Sequence, residues 1–198
     1  MKSRAGTRRR SNAIASISSG KFFASARRPA DTMAVTYALG EQMLLLTNTA
    51  RSATEARALL EAVVEDGGAL RKFGEMIAAQ GGVARVVNEP GRLPQARLKV
   101  PLAAPRGGFV QDVDALQVAL AALRLGAGRA RTDDRIDHAV GISGLVKVGE
   151  PVKAGAPLGT VHASDERALA EAKEMLAAAI TVGDKPVKPV KLIDEIVG

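Results

Sequence analysis

An α+β fold, a helical segment followed by a C-terminal α+β domain with a mostly antiparallel sheet, is predicted by three observations on this 198-residue chain. Between Met33 and Gly82 apolar residues recur at helical spacing and are interrupted by glycine pairs. Between Val83 and Pro105 that period gives way to turn residues and alternation. From Ala139 to Val161 two strand-like runs flank a Gly-Glu-Pro turn, with an apolar helical pattern before and after them.

Taken in order, the chain opens on a basic head. Residues 1–30 carry Lys2, Arg4, Arg8, Arg9, Arg10, Lys21, Arg27 and Arg28 and no acid. The 20 basic and 21 acidic residues that follow nearly cancel, so the net charge of +7 belongs to the head alone. Residues 1–32 therefore read as a basic, disordered leader. The alternatives are an organellar transit peptide and an arm that touches nucleic acid or membrane. Ser18-Ser19-Gly20-Lys21 lacks the first glycine and the flanking strand of a phosphate loop. A balanced body offers no phosphate-tracking surface, so no nucleic-acid partner is expected. No apolar run approaches a bilayer span, and no membrane partner is expected. With no cysteine there is no disulfide, thiol or zinc-thiolate chemistry, and the expected localisation is cytoplasmic.

From Met33 the pattern is helical, and Val35, Leu39, Met43 and Leu46 form the predicted inward stripe, widened by Leu44 and Leu45. Ser52 and Glu55 make a capping box for a second helix with Leu59, Leu60, Val63 and Val64 as its buried face, ended by Asp66-Gly67-Gly68. A third helix begins near Ala69, turns Leu70, Phe73, Met76 and Ile77 inward and stops at Gly81-Gly82. Turn residues from Asn88 to Gly91 and at Leu93-Pro94 precede an alternating strand from Ala96 to Val100, and the domain boundary is placed between 33–95 and 96–198.

Phe109-Val110 reads as a strand, and Asp112 as the cap of a helix whose face is Val113, Leu116, Leu120 and Leu123. Gly126 and Gly128 stop that helix, since glycine enters the left-handed turn cheaply. Asp133, Asp134, Arg135 and Asp137 keep the next loop in water. Ala139 to Ile142 and Leu145 to Val148 are predicted strand, Gly149-Glu150-Pro151 the turn, and Pro157 to Val161 the return. Ser164 with Asp165 and Glu166 caps a last helix along which Leu169, Ala172, Leu176 and Ala179 run. Thr181-Val182 and the residues from Val190 to Val197 are short strand or tail.

Three linked motifs carry a resemblance to a known family. They are LGAGR at 125–129, D-x-I-D-x-A-V-G-I at 134–142, and K-V-G-E-x-V-x-x-G-x-P-L at 147–158 followed by Val161-His162-Ala163. In this order and spacing they resemble the C-terminal domain of pyrimidine-nucleoside phosphorylases, thymidine phosphorylase included. The resemblance extends upstream through ALGEQMLLL at 38–46, ARALLE at 56–61, KFGEMIAAQGG at 72–82 and Leu93-Pro94-Gln95-Ala96. It implies that 33–95 is the helical remnant of a truncated, large α/β domain and 96–198 the C-terminal domain. It also implies a glycosyl-transferring reaction in which a pyrimidine nucleoside and phosphate give free base and (deoxy)ribose 1-phosphate. Phosphate is then a co-substrate, and no cofactor is required.

That chemistry needs backbone amides and a cation to hold phosphate, and a cation to offset charge on the departing base. In the family these come from a Lys-His-Ser-Thr-Gly-Gly loop, a Ser-Gly-Arg-Gly signature and a spaced Arg, Ser and Lys, none of which the chain contains. No catalytic, substrate-binding or metal-binding residue is therefore carried over, and the chain alone is expected to be inactive. Some family members hold a monovalent cation near the helix matching 38–46, for which no side-chain ligand is identified here. The one site feature carried over is an interdomain loop, Gly126, Gly128 and Arg129, with Arg131 beside it, that would close over the cleft of a complete enzyme. A helix stop and solvated turn is the alternative at these residues.

His138 and His162 have no Ser, Cys or second His at a spacing that points to a nucleophile or a metal triad. His162 lies in the Val-His-Ala motif and reads as a hydrogen-bonded structural residue. Asp133, Asp134 and Asp137 imitate a metal cluster but lack a glycine-centred ligand loop with a closing Glu. A different class remains open: VKVGEPVKAGAPLGTV also looks like half of a biotinyl or lipoyl carrier barrel, although Lys147 and Lys153 lack the neighbours of a carrier lysine. The alternative function is thus a non-catalytic interaction or assembly module. In either case the apolar stripe of Leu44, Leu45, Leu59 and Val63 has no partner in the sequence, and a homodimer or other self-association is expected.

Overall fold

The computed structural model describes residues 29–129, 131–189 and 191–196. The expectations for the head up to residue 28, the run at 18–21 among them, lie outside these residues. The described residues group into two units, within Met1–Leu93 with Lys191–Gly198 and within Pro94–Val190.

The first unit is built on three helices, α1 (Ala30–Leu46), α2 (Ala53–Glu65) and α3 (Gly68–Ala79), followed by short 3-10 turns at Ala84–Val87 and Pro90–Arg92. Ser52 Oγ accepts the Glu55 amide at 3.2 Å, as a capping box requires. The Glu55 carboxylate reaches back to the amide of Arg51 at 2.8 Å, one residue earlier than the motif predicts. Gly67, with φ +77°, turns the chain from α2 into α3.

Helices α1 and α2, joined by the loop 47–52, pack antiparallel through three contacts. Glu41 pairs with Arg57, the Arg57 guanidinium stands 4.5 Å over the Tyr37 ring, and Leu60 sits against Gly40, where a Cβ would come within 2.8 Å of Leu60 Cδ1. These contacts overturn the predicted phase of α1. Leu39, Met43 and Leu46 of the expected inward stripe are exposed, Leu46 at 81%. The same holds for Leu59 and Val63 on α2 and for Met76 on α3, whereas Ala56, Val64 and Ile77 are buried. Helix α1 is apolar around most of its circumference, so spacing alone leaves its rotation open; the ion pair and the glycine contact fix it. Leu39, Met43 and Leu46 of α1 and Leu59 and Val63 of α2 are thus the exposed large apolar residues of the pair.

The second unit holds two three-stranded antiparallel sheets. One orders β1 (Leu98–Ala103), β5 (Pro157–Ala163) and β3 (Gly141–Ser143); the other orders β4 (Pro151–Val152), β2 (Gly108–Val113) and β6 (Ile180–Gly183). Helices α4 (Ala115–Arg124) and α5 (Glu166–Ala179) complete it. This is the α+β class predicted from the sequence. Val110, Leu158, Val161 and Leu176 are its largest fully enclosed side chains. Ala121 of α4 and Ala172 of α5 are also fully buried, so the two helices pack through small residues. With few aromatics, this core relies on aliphatic burial, about 2 kcal/mol for each large side chain.

Strand β2 runs on to Val113, so the cap of α4 is Asp114, whose carboxylate accepts the Gln117 amide at 3.0 Å, and not Asp112. The inward residues of α4 and its end are Val118, Ala121 and Leu125, while Leu116 and Leu120 are exposed. Asp165, and not Ser164, caps α5, accepting the Ala168 amide at 2.9 Å. Residues 145–148 form no strand, and the first hairpin strand is limited to Gly141–Ser143. Leu145 and Val146 still pack on the core, Leu145 against Gly159 and Val146 through a 2.9 Å amide bond to the Leu158 carbonyl, without forming a strand ladder with β5. Strand β5 is already paired with β1 and β3, so the chain leaves that sheet and β4 pairs with β2 instead. No strand is formed by the described residues of the tail from Lys191.

Candidate functional site

The glycine loop at the end of α4 is built by backbone chemistry. Gly126, with φ +96°, donates to the Leu123 carbonyl at 3.0 Å, and Ala127 donates to that of Ala122 at 3.0 Å. This is a Schellman ending, and its left-handed position favours glycine. At Gly128 a Cβ would lie 2.8 Å from Leu123 Cδ1, the movable end of a side chain, so glycine is favoured there less strictly than at Gly126. The pair therefore holds Arg129 at the surface, where it makes no ion pair among the described residues. Arg131 is engaged locally: its amide donates to Asp134 at 2.8 Å and its guanidinium lies 3.7 Å from Asp133.

Asp137 is the residue whose role sequence reasoning missed. It does not belong to the wet loop but is half-buried and joins three segments. Its amide donates to the Gly126 carbonyl at 2.9 Å, one carboxylate oxygen accepts the Ala139 amide at 2.9 Å, and the other accepts the Ser164 hydroxyl at 2.7 Å. The glycine loop, the entry to β3 and the start of α5 are thus fastened at one side chain. A carboxylate accepting two such bonds holds its surroundings more firmly than a neutral acceptor. The three aspartates have different tasks: Asp133 pairs with Arg131, Asp134 caps the Arg131 amide, and Asp137 anchors the loop.

The two histidines separate as well. His138 is half-buried, with its Nδ1 enclosed and without a hydrogen-bond partner among the described residues. His162 lies in β5 and its Nε2 is 2.7 Å from the Ser143 hydroxyl. The two residues are 19 apart in sequence, a spacing that does not itself point to a pair, and they meet through the β3–β5 register, which gives His162 a hydrogen bond of the kind expected of it. Lys147 and Lys153 are exposed on the segment that crosses between sheets, where the Lys147 amide donates to Glu150 at 3.1 Å.

Among the described residues no helix is long and apolar enough to cross a membrane. Residues 109–183 match the model of the pyrimidine nucleoside phosphorylase C-terminal domain. The chain is 39% identical over 170 residues to a thymidine phosphorylase of Burkholderia orbicola (strain MC0-3), an alignment that takes in 85% of the chain and 39% of the relative. It is 40% identical over 169 residues to a pyrimidine-nucleoside phosphorylase of Geobacillus stearothermophilus, again 85% of the chain and 39% of the relative. Against the pyrimidine-nucleoside phosphorylase of Bacillus subtilis (strain 168) the identity is 42% over 138 residues, covering 70% and 32%. The chain thus spans about two fifths of the length of the curated relatives it matches. With the glycine stop, strands β3 to β6 and the closing helix α5 lying in the matched stretch, residues 109–183 belong to the pyrimidine nucleoside phosphorylase C-terminal domain family.

Proposed function

We propose that the chain is the C-terminal portion of a pyrimidine-nucleoside phosphorylase, with a leader over 1–32, the helical remnant of the large domain over 33–95 and the C-terminal domain over 96–198. In the complete enzyme a pyrimidine nucleoside and phosphate yield free base and (deoxy)ribose 1-phosphate. This portion supplies a wall of the cleft and the loop of Gly126, Gly128 and Arg129. The observation that carries the reading is the 39% identity running over 85% of the chain, together with a sequence in which none of the family's phosphate or base motifs occurs.

Phosphorolysis requires phosphate held against the anomeric carbon and a donor at the departing base. The chain alone is therefore expected to release no thymine or uracil from nucleosides in phosphate buffer above the uncatalysed rate. Mixing with a separately expressed portion that carries the missing motifs is expected to restore turnover, and Arg129→Ala in that assembly to lower kcat/KM about tenfold, the effect of one lost positioning contact. Release of base by the isolated chain, or an assembly indifferent to Arg129, would overturn the reading.

The exposed large apolar residues of α1 and α2 make the isolated chain self-associate. Size-exclusion chromatography with light scattering is expected to show species larger than one chain, moving toward the monomer in a Leu39→Gln, Met43→Gln, Leu59→Gln variant. A monodisperse monomer of the unaltered chain contradicts this.

A further inference from the structure

The outer face of the β1–β5–β3 sheet carries a pair that the phosphorylase reading does not use. Gly141, Ile142 and Ser143 of β3 stand opposite His162, Val161 and Thr160 of β5. Val161 and Ala163 are fully buried and Ile142 packs on the core, so strand alternation sends His162, Thr160 and Ser143 to the other face. There the Ser143 hydroxyl lies 2.7 Å from His162 Nε2, within proton-transfer reach, and Ser143 is exposed. The next residue, Gly144, has φ +61° and its amide makes no hydrogen bond among the described residues. A Cβ built on Gly141 or on Gly144 would meet nothing within 4 Å beyond its chain neighbours, so the chain is uncrowded at the glycines that flank Ile142 and Ser143. Lys99 of β1 stands opposite His162, its ammonium on Gln95 at 2.6 Å.

We propose that Ser143 is a nucleophile with His162 as its general base, forming an acyl-acceptor site for small activated carboxylic esters on the outer face of this sheet. The observations match the requirements of such a site: a hydroxyl bonded to an imidazole nitrogen, an unused amide on the following residue, and an exposed serine. Ser143 Oγ attacks the carbonyl carbon as its proton passes to Nε2. The Gly144 amide is the donor available to the oxyanion. The ester C–O bond then breaks, the leaving oxygen takes the proton from Nε2, and an acylated Ser143 remains beside a neutral imidazole. Water attacking that ester, with its proton going to Nε2 and on to Oγ, releases the carboxylic acid and restores the pair.

The test uses the full chain and p-nitrophenyl acetate, following nitrophenolate release and locating acetyl groups by peptide mass. One acetyl is expected on Ser143, absent in Ser143→Ala. His162→Gln, which keeps a hydrogen-bonding side chain but no base of comparable strength, is expected to slow acetylation of Ser143 about 100-fold. Ser143→Cys needs no change at His162: its thiol is expected to acetylate about tenfold faster than one placed at exposed Thr181→Cys, because the imidazole favours the thiolate. Acetyl groups confined to lysines, an unchanged rate in His162→Gln, or equal rates for the two thiols would each overturn the proposal.

Discussion

Gly108→Ala is expected to cost at least about 3 kcal/mol and to lower the urea midpoint of the Pro94–Val190 unit well below that of Gly141→Ala. Gly108 begins β2 with φ +147°, a conformation that L side chains rarely adopt. A Cβ there would lie 2.4 Å from the carbonyl oxygen of Gly183 and 3.1 Å from its carbon. Those atoms are backbone of β6, paired with β2 through Phe109 and Gly183, so relief requires the strands to part. The neighbouring Val110 is fully buried, so parting them also opens the core. Gly141→Ala supplies the internal control. Its φ is +146°, yet a Cβ meets nothing within 4 Å. Backbone strain alone remains, costing about 1–3 kcal/mol. Urea titration followed by circular dichroism measures both, and equal midpoints for the two variants would remove the clash from the account.

What could be read from the sequence was what local chemistry decides. Ser52 with Glu55 starts α2, Gly126 ends α4, and Ala172, Leu176 and Ala179 lie on the buried side of α5, because each depends on residues within one or two turns. The rotation of α1 was not legible, since Leu39, Met43 and Leu46 are as apolar as the residues that face α2. Nor was the path of 145–152. Its alternation satisfies a strand, but β5 is already paired on both sides and β4 adds to the sheet of β2. A sequence period cannot state which edge is free. The site divides the same way: the glycines of the loop were visible from their type, whereas Asp137 to Ser164 and Ser143 to His162 are contacts across 27 and 19 residues, the first between loops beyond the paired strands and the second through strand register.

Asp137 therefore yields the second large effect. Asp137→Ala leaves the Ser164 hydroxyl and the Ala139 amide without their shared acceptor, and hydrogen bonds to a charged group contribute roughly 1.5–3 kcal/mol. The expected loss of stability is about 2 kcal/mol. Asp137→Asn is expected to cost less than half as much, because its amide oxygen still accepts from Ala139 while its NH2 can donate to Ser164 Oγ. Removing the carboxylate also frees the backbone of residue 137, whose amide holds the Gly126 carbonyl at 2.9 Å. Amide exchange at Gly126 to Arg129 is then expected to rise at least about tenfold in the alanine variant, while amides in the middle of α5 exchange at the rate set by global opening. Ser164→Ala removes one of the two carboxylate bonds and is expected to fall between the asparagine and alanine variants. If exchange in the loop and in α5 rose by the same factor, Asp137 would be acting on the stability of the whole unit, and its role as the anchor of the glycine loop would be lost.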